Sequence, residues 1–226
     1  LPWILKDEEN GANVHDVIIF LGPSLSVHKA SEILSAEYRP PVRRVDLLEV
    51  IRMKPRIIGI IDGVFFEDAA VGHREVLEVM KHGITVVGAS SMGALRAAEL
   101  EPFGMIGIGE IFRMYRDGII ESDDEVALMC DPTTNMAFSE ALVNIRVTVH
   151  YGEKTGFFTS DESQSIISIG KSLWYPDRSW PRILQASSFN QQRKDEILAW
   201  VKDHAIDQKQ EDARKALSYI KETFYT

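Results

Sequence analysis

The chain has 226 residues, 45% of them hydrophobic and 26% charged, which is enough to bury a sizeable core as one large domain or one domain with an appendage. A formal net charge of -9 disfavours nucleic-acid backbones and anionic membranes as main partners, since both are bound through an excess of lysine and arginine. The single cysteine, Cys130, excludes an intrachain disulfide framework, suits a reducing compartment and reads as an inert packing residue.

Residues 1–15, polar from Lys6 to Asn13, read as a loose lead-in without the basic, apolar and small regions of a signal peptide. No run approaches the roughly 20 apolar residues needed to span a bilayer, so a cytoplasmic protein is expected. Val17 to Leu21, Ile57 to Ile61 and Ile84 to Val87 are apolar runs that alternate with helical segments, a pattern that predicts a parallel sheet between helices. Ser26 is placed to cap a first helix burying Ala30, Ile33 and Leu34. A second opens at about Asp46 and stops before Pro55, a third runs from about Glu75 to Gly83, and a fourth begins at Ser91 and is closed by Pro102. Beyond it, Ile108, Ile111, Phe112 and Tyr115 predict one helical face, and Phe138, Ala141, Leu142, Ile145 and Val149 another. Tyr151 to Thr159 reads as a loop, and Thr159 with Glu162 as a capping box before Ile166, Ile169 and Leu173. Two last helices carry Ile197, Trp200 and Val201, then Ala213, Ala216, Leu217 and Ile220. The expected fold class is α/β: a lead-in over 1–15, a core over 16–150 with a parallel sheet and flanking helices, and an all-helical C-terminal region over 151–226.

Chemistry is expected where the third strand run meets the fourth helix. Ala89-Ser90-Ser91-Met92-Gly93 has the small-x-Ser-x-Gly shape of a nucleophile elbow, in which small neighbours allow a sharp turn that exposes the hydroxyl. The plainer reading is that Ser90 or Ser91 caps the helix, worth about 1 kcal/mol. Ligands of open parallel sheets bind at the C-terminal ends of the strands. That rule gathers Ser24 and Ser26 after the first run, Asp62 after the second, and Ser90 and Ser91 after the third. Ser24 is a rival nucleophile, a turn-shaping residue or a carboxylate binder; Asp62 orients a donor or caps the next segment. His73 and Glu75 stand at a helix entrance. Arg96 and Glu99 are spaced to pair, with Arg96 otherwise free to meet a substrate anion. Asp123, Asp124 and Glu125 read as helix-opening residues rather than a metal cluster, and the six histidines have no metal-ligand spacing. No full P-loop or dinucleotide fingerprint is present, so no cofactor is expected.

Several phrases occur together in one order: Leu21-Gly22-Pro23-Ser24-Leu25, Arg39-Pro40-Pro41, Ile58-Gly59-Ile60-Ile61-Asp62-Gly63-Val64-Phe65, His73-Arg74-Glu75-Val76-Leu77, Ser91-Met92-Gly93-Ala94-Leu95-Arg96-Ala97-Ala98-Glu99-Leu100, Phe103-Gly104-Met105, Asp123-Asp124-Glu125-Val126-Ala127 and Asn144-Ile145-Arg146. In these the chain resembles the TfuA-like family. The resemblance implies a partner of YcaO enzymes in peptide-backbone thioamidation, of methyl-coenzyme M reductase or of ribosomally made peptides. It further implies hydrolysis of the thiocarboxylated C-terminus of a ubiquitin-like sulfur carrier of the ThiS type, with a serine–lysine pair releasing sulfide. Ser91 is then the expected nucleophile, and Ser24, Asp62, His73, Arg74 and Arg96 the expected substrate-binding set. Where relatives read His-Lys-Glu this chain has His73-Arg74-Glu75, and a guanidinium that stays protonated is a poor base. The lysine therefore lies elsewhere or the pair is altered. Lys54 and Lys81 precede the wrong ends of their strands, which leaves Lys29 and Lys171. The alternative is a non-catalytic adaptor that binds YcaO and raises its affinity for the peptide, with the serine corner as scaffold only.

Overall fold

A computed structural model describes residues 16–65, 70–131 and 136–224; the expected lead-in over 1–15 lies outside them. The chain divides into two compact units, Leu1–Glu121 with Lys209–Thr226, and Ser122–Gln208. The division differs from the expected break at residue 150.

The first unit alternates β1 (Val17–Phe20), α1 (Val27–Ser31), β2 (Glu37–Arg39), α2 (Asp46–Ile51), β3 (Ile57–Ile60), α3 (His73–Lys81), β4 (Thr85–Ala89), α4 (Met92–Leu100), β5 (Ile106–Ile108) and α5 (Glu110–Arg116). The sheet is wholly parallel with order β2-β1-β3-β4-β5, and Ile18 pairs with Glu37 on one side and Ile58 on the other. Every residue of β1 and β3 is buried, as expected for strands covered on both faces. The three apolar runs are thus the three central strands. The edge strands β2 and β5, three residues each, escape the sequence pattern, and Ile108 belongs to β5 rather than to the helix face predicted for it.

Alternate residues of the strands line one face of the sheet. Val17, Ile19, Leu21, Ile57, Ile61, Val87 and Ala89 pack there with Leu25, Ala30 and Leu34. The same cluster holds Ala213, Ala216, Leu217 and Ile220 of the last helix, α10 (Gln208–Phe224). Its apolar residues have the predicted helical period, and this last part of the helical C-terminal region completes the α/β core.

The second unit holds α6 (Leu142–Lys154), α7 (Ser160–Ser172), α8 (Trp180–Ala186) and α9 (Gln191–His204), with α10 following. Its core comprises Leu142, Ile145, Val149, Phe158, Ile166, Trp180, Ile183, Leu184, Ile197 and Val201. Phe138 lies before α6 and is exposed, and α6 runs on through Tyr151–Lys154, where a loop is predicted. The capping box is present: Thr159 Oγ1 accepts from Glu162 N, and Glu162 Oε2 accepts from Thr159 N.

Asp123–Glu125 is a single 3-10 turn and opens no α-helix. Its acids are taken by arginines: Arg146 grips buried Glu125 through two hydrogen bonds of 2.8 and 2.7 Å, and fully buried Arg178 donates to Asp124 Oδ2 at 2.8 Å. Burial pushes the Asp124 carboxyl up, but hydrogen bonds from Ser122 and Arg178 outweigh it and hold the group below the ordinary aspartate range. Among the described residues no group of three or more His, Cys, Asp or Glu side chains is arranged to hold a metal.

Hydrogen bonds from Arg193, working against burial, hold the Glu162 carboxyl low. A lowered native pKa adds stability above the unfolded glutamate value of about 4.3, and the gain is lost as pH falls through the lower native value. Glu162→Gln is therefore expected to flatten the fall in thermal midpoint between roughly pH 5 and pH 3. A curve parallel to wild type over that window rejects the assignment.

Candidate functional site

In the order β2-β1-β3-β4-β5 the crossovers change direction between β1 and β3, so a crevice is expected outside the carboxyl ends of those two strands. The polar residues found there are Ser24, Asp62, Ser90 and Ser91, each no more than 2% exposed. Asp62 follows β3 and receives the turn that follows β1. Its Oδ2 accepts from Gly22 N at 2.8 Å and Ser24 N at 3.1 Å, and its Oδ1 accepts from Ser24 Oγ at 2.6 Å. Ser90 Oγ donates toward Ser24 Oγ at 2.9 Å and toward the Lys209 carbonyl at 2.8 Å.

The corner between β4 and α4 is as tight as the small residues suggest. Ser90 has a φ of 67°, a left-handed conformation that a non-glycine residue adopts only when its surroundings hold it. Ser91 follows as the N-cap of α4, with φ −118° and ψ −123°, and its hydroxyl makes no capping hydrogen bond. The capping reading of Ser91 therefore fails. Close approach of helix to sheet explains the flanking glycines: a Cβ on Gly93 would stand 1.7 Å from the Ile60 carbonyl oxygen, and one on Gly88 would stand 2.2 Å from the Gly93 carbonyl oxygen. Among the described residues, Met92 N–H has no hydrogen-bond partner, as expected for an orphan donor in the first turn of a helix. Pro41 packs over Gly22, where a Cβ would meet its ring at 2.5 Å, and Val42 N donates to the Asp62 carbonyl at 2.9 Å, so the Arg39-Pro40-Pro41 segment borders the strand tips.

A family model described as TfuA-like protein matches residues 62–179, just over half of the chain. The chain belongs to the TfuA-like family. A search of curated proteins found no match. Membership gives this TfuA-like protein a role related to thioamidation and a general association with YcaO enzymes. The matched span includes Asp62, Ser90 and Ser91, whereas Ser24 and Lys209 lie outside it.

Lys29 is exposed in α1, and its backbone N–H, not its amino group, is engaged, by Ser26 Oγ at 3.4 Å. Lys171 is exposed on α7 in the second unit, where its charge lowers the Asp124 pKa. Arg74 is exposed on α3. His73 and Arg96 are joined through Glu99, which lies 2.7 Å from His73 Nε2 and 2.7 Å from Arg96 Nη1, while Arg96 Nε donates to the Val71 carbonyl at 3.0 Å. The expected Arg96–Glu99 bridge is present. Glu75 accepts from Gly72 N at the start of α3 and from Val45 N at 2.6 Å, which ties the segment after Pro41 to α3.

Sequence reasoning missed Lys209. Its side chain is fully buried in the first unit although it sits near the start of α10, and its carbonyl is the second acceptor of the Ser90 hydroxyl. Lysine is among the residue types least often fully buried, and this was visible in the sequence only as a basic residue at the head of an amphipathic helix. Among the described residues no helix is long and apolar enough to cross a membrane.

Proposed function

We propose that this TfuA-like protein hydrolyses the thiocarboxylated C-terminus of a ubiquitin-like sulfur carrier and so supplies sulfide to a YcaO enzyme. The observation that carries the reading is the contrast between the two corner serines. The Ser90 hydroxyl is spent on Ser24 and the Lys209 carbonyl, whereas Ser91 stands at the helix N-cap with no cap bond. Ser91 Oγ attacks the thiocarboxylate carbon as a base accepts its proton, and the C–S bond breaks to release hydrosulfide. Water then cleaves the resulting ester, returning a carboxylate on the carrier and the free serine. Met92 N–H, the amide after the nucleophile, is the oxyanion donor, and the positive end of α4 favours the anionic substrate.

Lys209 is the basic partner this arrangement supports best. It is buried in the same unit, and its carbonyl accepts from the hydroxyl of the residue next to Ser91. Lys29 and Lys171 remain the surface alternatives. Lys209→Met keeps the carbonyl and most of the buried volume while removing the amine, and is expected to lower sulfide release at least a hundredfold. Lys29→Ala and Lys171→Ala, assayed alongside, are expected to stay within about threefold of wild type. Full activity in Lys209→Met removes Lys209 from the mechanism.

One observation favours the adaptor reading instead. Ser24, Asp62, Ser90 and Ser91 are all buried, which leaves the tail of a carrier protein little surface to reach at the strand tips. Incubation of the full chain with a thiocarboxylated ThiS-type carrier, with sulfide measured in the absence of YcaO, separates the two readings. Turnover supports the hydrolase. Absence of turnover, with the chain still raising YcaO affinity for its peptide, supports the adaptor.

A further inference from the structure

We propose that Ser24 and Asp62 are positioning residues for Ser91, acting through the backbone of Ser90, rather than the substrate-binding residues their place at the strand tips suggests. The inference rests on the reading of Ser91 as nucleophile and deepens it. Every acceptor position used on Asp62 is turned inward: Gly22 N and Ser24 N occupy Oδ2, and Ser24 Oγ occupies Oδ1. A carboxylate already holding three donors inside the fold has little capacity left for an incoming ligand. Proton counting fixes the direction of the remaining bonds. The Ser24 hydroxyl has one proton, directed to Asp62 at 2.6 Å, so the 2.9 Å contact between the serines is donated by Ser90. The single Ser90 proton is shared between Ser24 Oγ and the Lys209 carbonyl at 2.8 Å.

The result is a chain of hydrogen bonds from the β3 tip through the β1 turn to the β4 corner, with α10 as a second anchor. It ends on the residue whose φ of 67° turns the strand into the helix. A serine in the left-handed region is disfavoured by its Cβ, and such a conformation persists where neighbouring contacts over-determine it. Without the clamp the corner relaxes toward ordinary backbone angles, which swings Ser91 and the Met92 N–H away from their joint orientation. A displacement of about 1 Å suffices to slow a reaction on the order of a hundredfold.

The test uses the full chain and a fluorophosphonate, a reagent that phosphonylates activated serines with loss of fluoride and without any carrier, with the labelled residue located by mass spectrometry. Backbone amide hydrogen exchange at Ser91 and Met92 is followed in the same variants. Ser24→Ala is expected to slow labelling of Ser91 at least tenfold and to speed exchange of those two amides at an unchanged far-ultraviolet spectrum. Ser90→Gly reaches positive φ without strain, so it is expected to label faster than Ser90→Ala. In the Ser90→Gly background, adding Ser24→Ala is expected to change the labelling rate less than threefold. Asp62→Asn, which keeps an oxygen for Gly22 N and Ser24 N and reverses the Ser24 hydroxyl, is expected to fall between wild type and Ser24→Ala.

The proposal is overturned if Ser24→Ala leaves both the labelling rate and the amide exchange at wild-type values, or if its effect is as large in the Ser90→Gly background as alone. Failure of the wild-type chain to label counts against Ser91 as nucleophile, and the amide exchange then decides the positioning role by itself: faster exchange in Ser24→Ala sustains it and unchanged exchange rejects it.

Discussion

Ser91→Ala is expected to reduce sulfide release from a thiocarboxylated carrier by a factor on the order of a thousand to a million while leaving the thermal midpoint almost unmoved. The size of the first effect follows from removing a nucleophile, whose loss is not made good by the groups around it. The second follows from the structure. A serine that caps a helix is worth about 1 kcal/mol, but the Ser91 side chain makes no cap hydrogen bond, so alanine removes one small hydroxyl and no capping interaction. Stability is therefore expected to change by less than about 0.5 kcal/mol, within the range of substitutions that break no specific feature. Ser90→Ala sits beside it and differs in its cost to stability. Its hydroxyl is shared between Ser24 and the Lys209 carbonyl, so its removal leaves buried acceptors without their donor and costs about 1–3 kcal/mol. Calorimetry on the two alanine variants measures this difference in stability, and sulfide release on Ser91→Ala measures the loss of the nucleophile. Normal sulfide release by Ser91→Ala eliminates the nucleophile.

The central strands, the serine corner and the approach of Ser24, Asp62 and Ser91 to one sheet edge were legible in the sequence because each rests on local rules. Apolar runs mark strands buried on both faces, and parallel connection places their following turns on one side. The edge strands were not legible. Glu37-Tyr38-Arg39 has no apolar run, since an edge strand is half exposed, and Ile106-Gly107-Ile108 is short enough to merge with the periodicity of α5. The placement of α10 was hidden for a different reason. The spacing of Ala213, Ala216, Leu217 and Ile220 defines an apolar face, but helical periodicity does not name the surface that face covers. Lys209 belongs to no motif, and it becomes a candidate beside Lys29 and Lys171 only once α10 is placed against the sheet. The different parts of the two corner serines needed coordinates, because only the backbone angles and hydrogen bonds show Ser90 as the pivot and Ser91 as an N-cap residue whose hydroxyl makes no cap bond.

Gly93→Ala is expected to cost about 3 kcal/mol or more and to abolish activity with it, although alanine is the better helix former by about 1 kcal/mol. Propensity loses here because of what the methyl group meets. A Cβ at Gly93 would lie 1.7 Å from the Ile60 carbonyl oxygen and 2.6 Å from its carbon, and 3.3 Å from Gly88 Cα. All three are backbone atoms. Ile60 is paired in register with Phe20 and Gly88, so it moves only if the sheet ladder moves with it. The helix must back away instead, and its first turn carries Ser91 and Met92. Gly59→Ala is the control. Its Cβ would come within 2.5 Å of Ile19 Cδ1 and 3.4 Å of Ile220 Cδ1, the far ends of side chains that shift by rotation. Its expected cost is about 1–2 kcal/mol, typical of overpacking that rotamers absorb, with the serine corner and the labelling of Ser91 intact. Denaturant midpoints of the two variants measure the difference. Equal losses in both mean that the glycine beneath α4 serves only to save space, whereas a much larger loss at Gly93, accompanied by loss of serine reactivity, ties the sharpness of the corner to the close seat of α4 on β3.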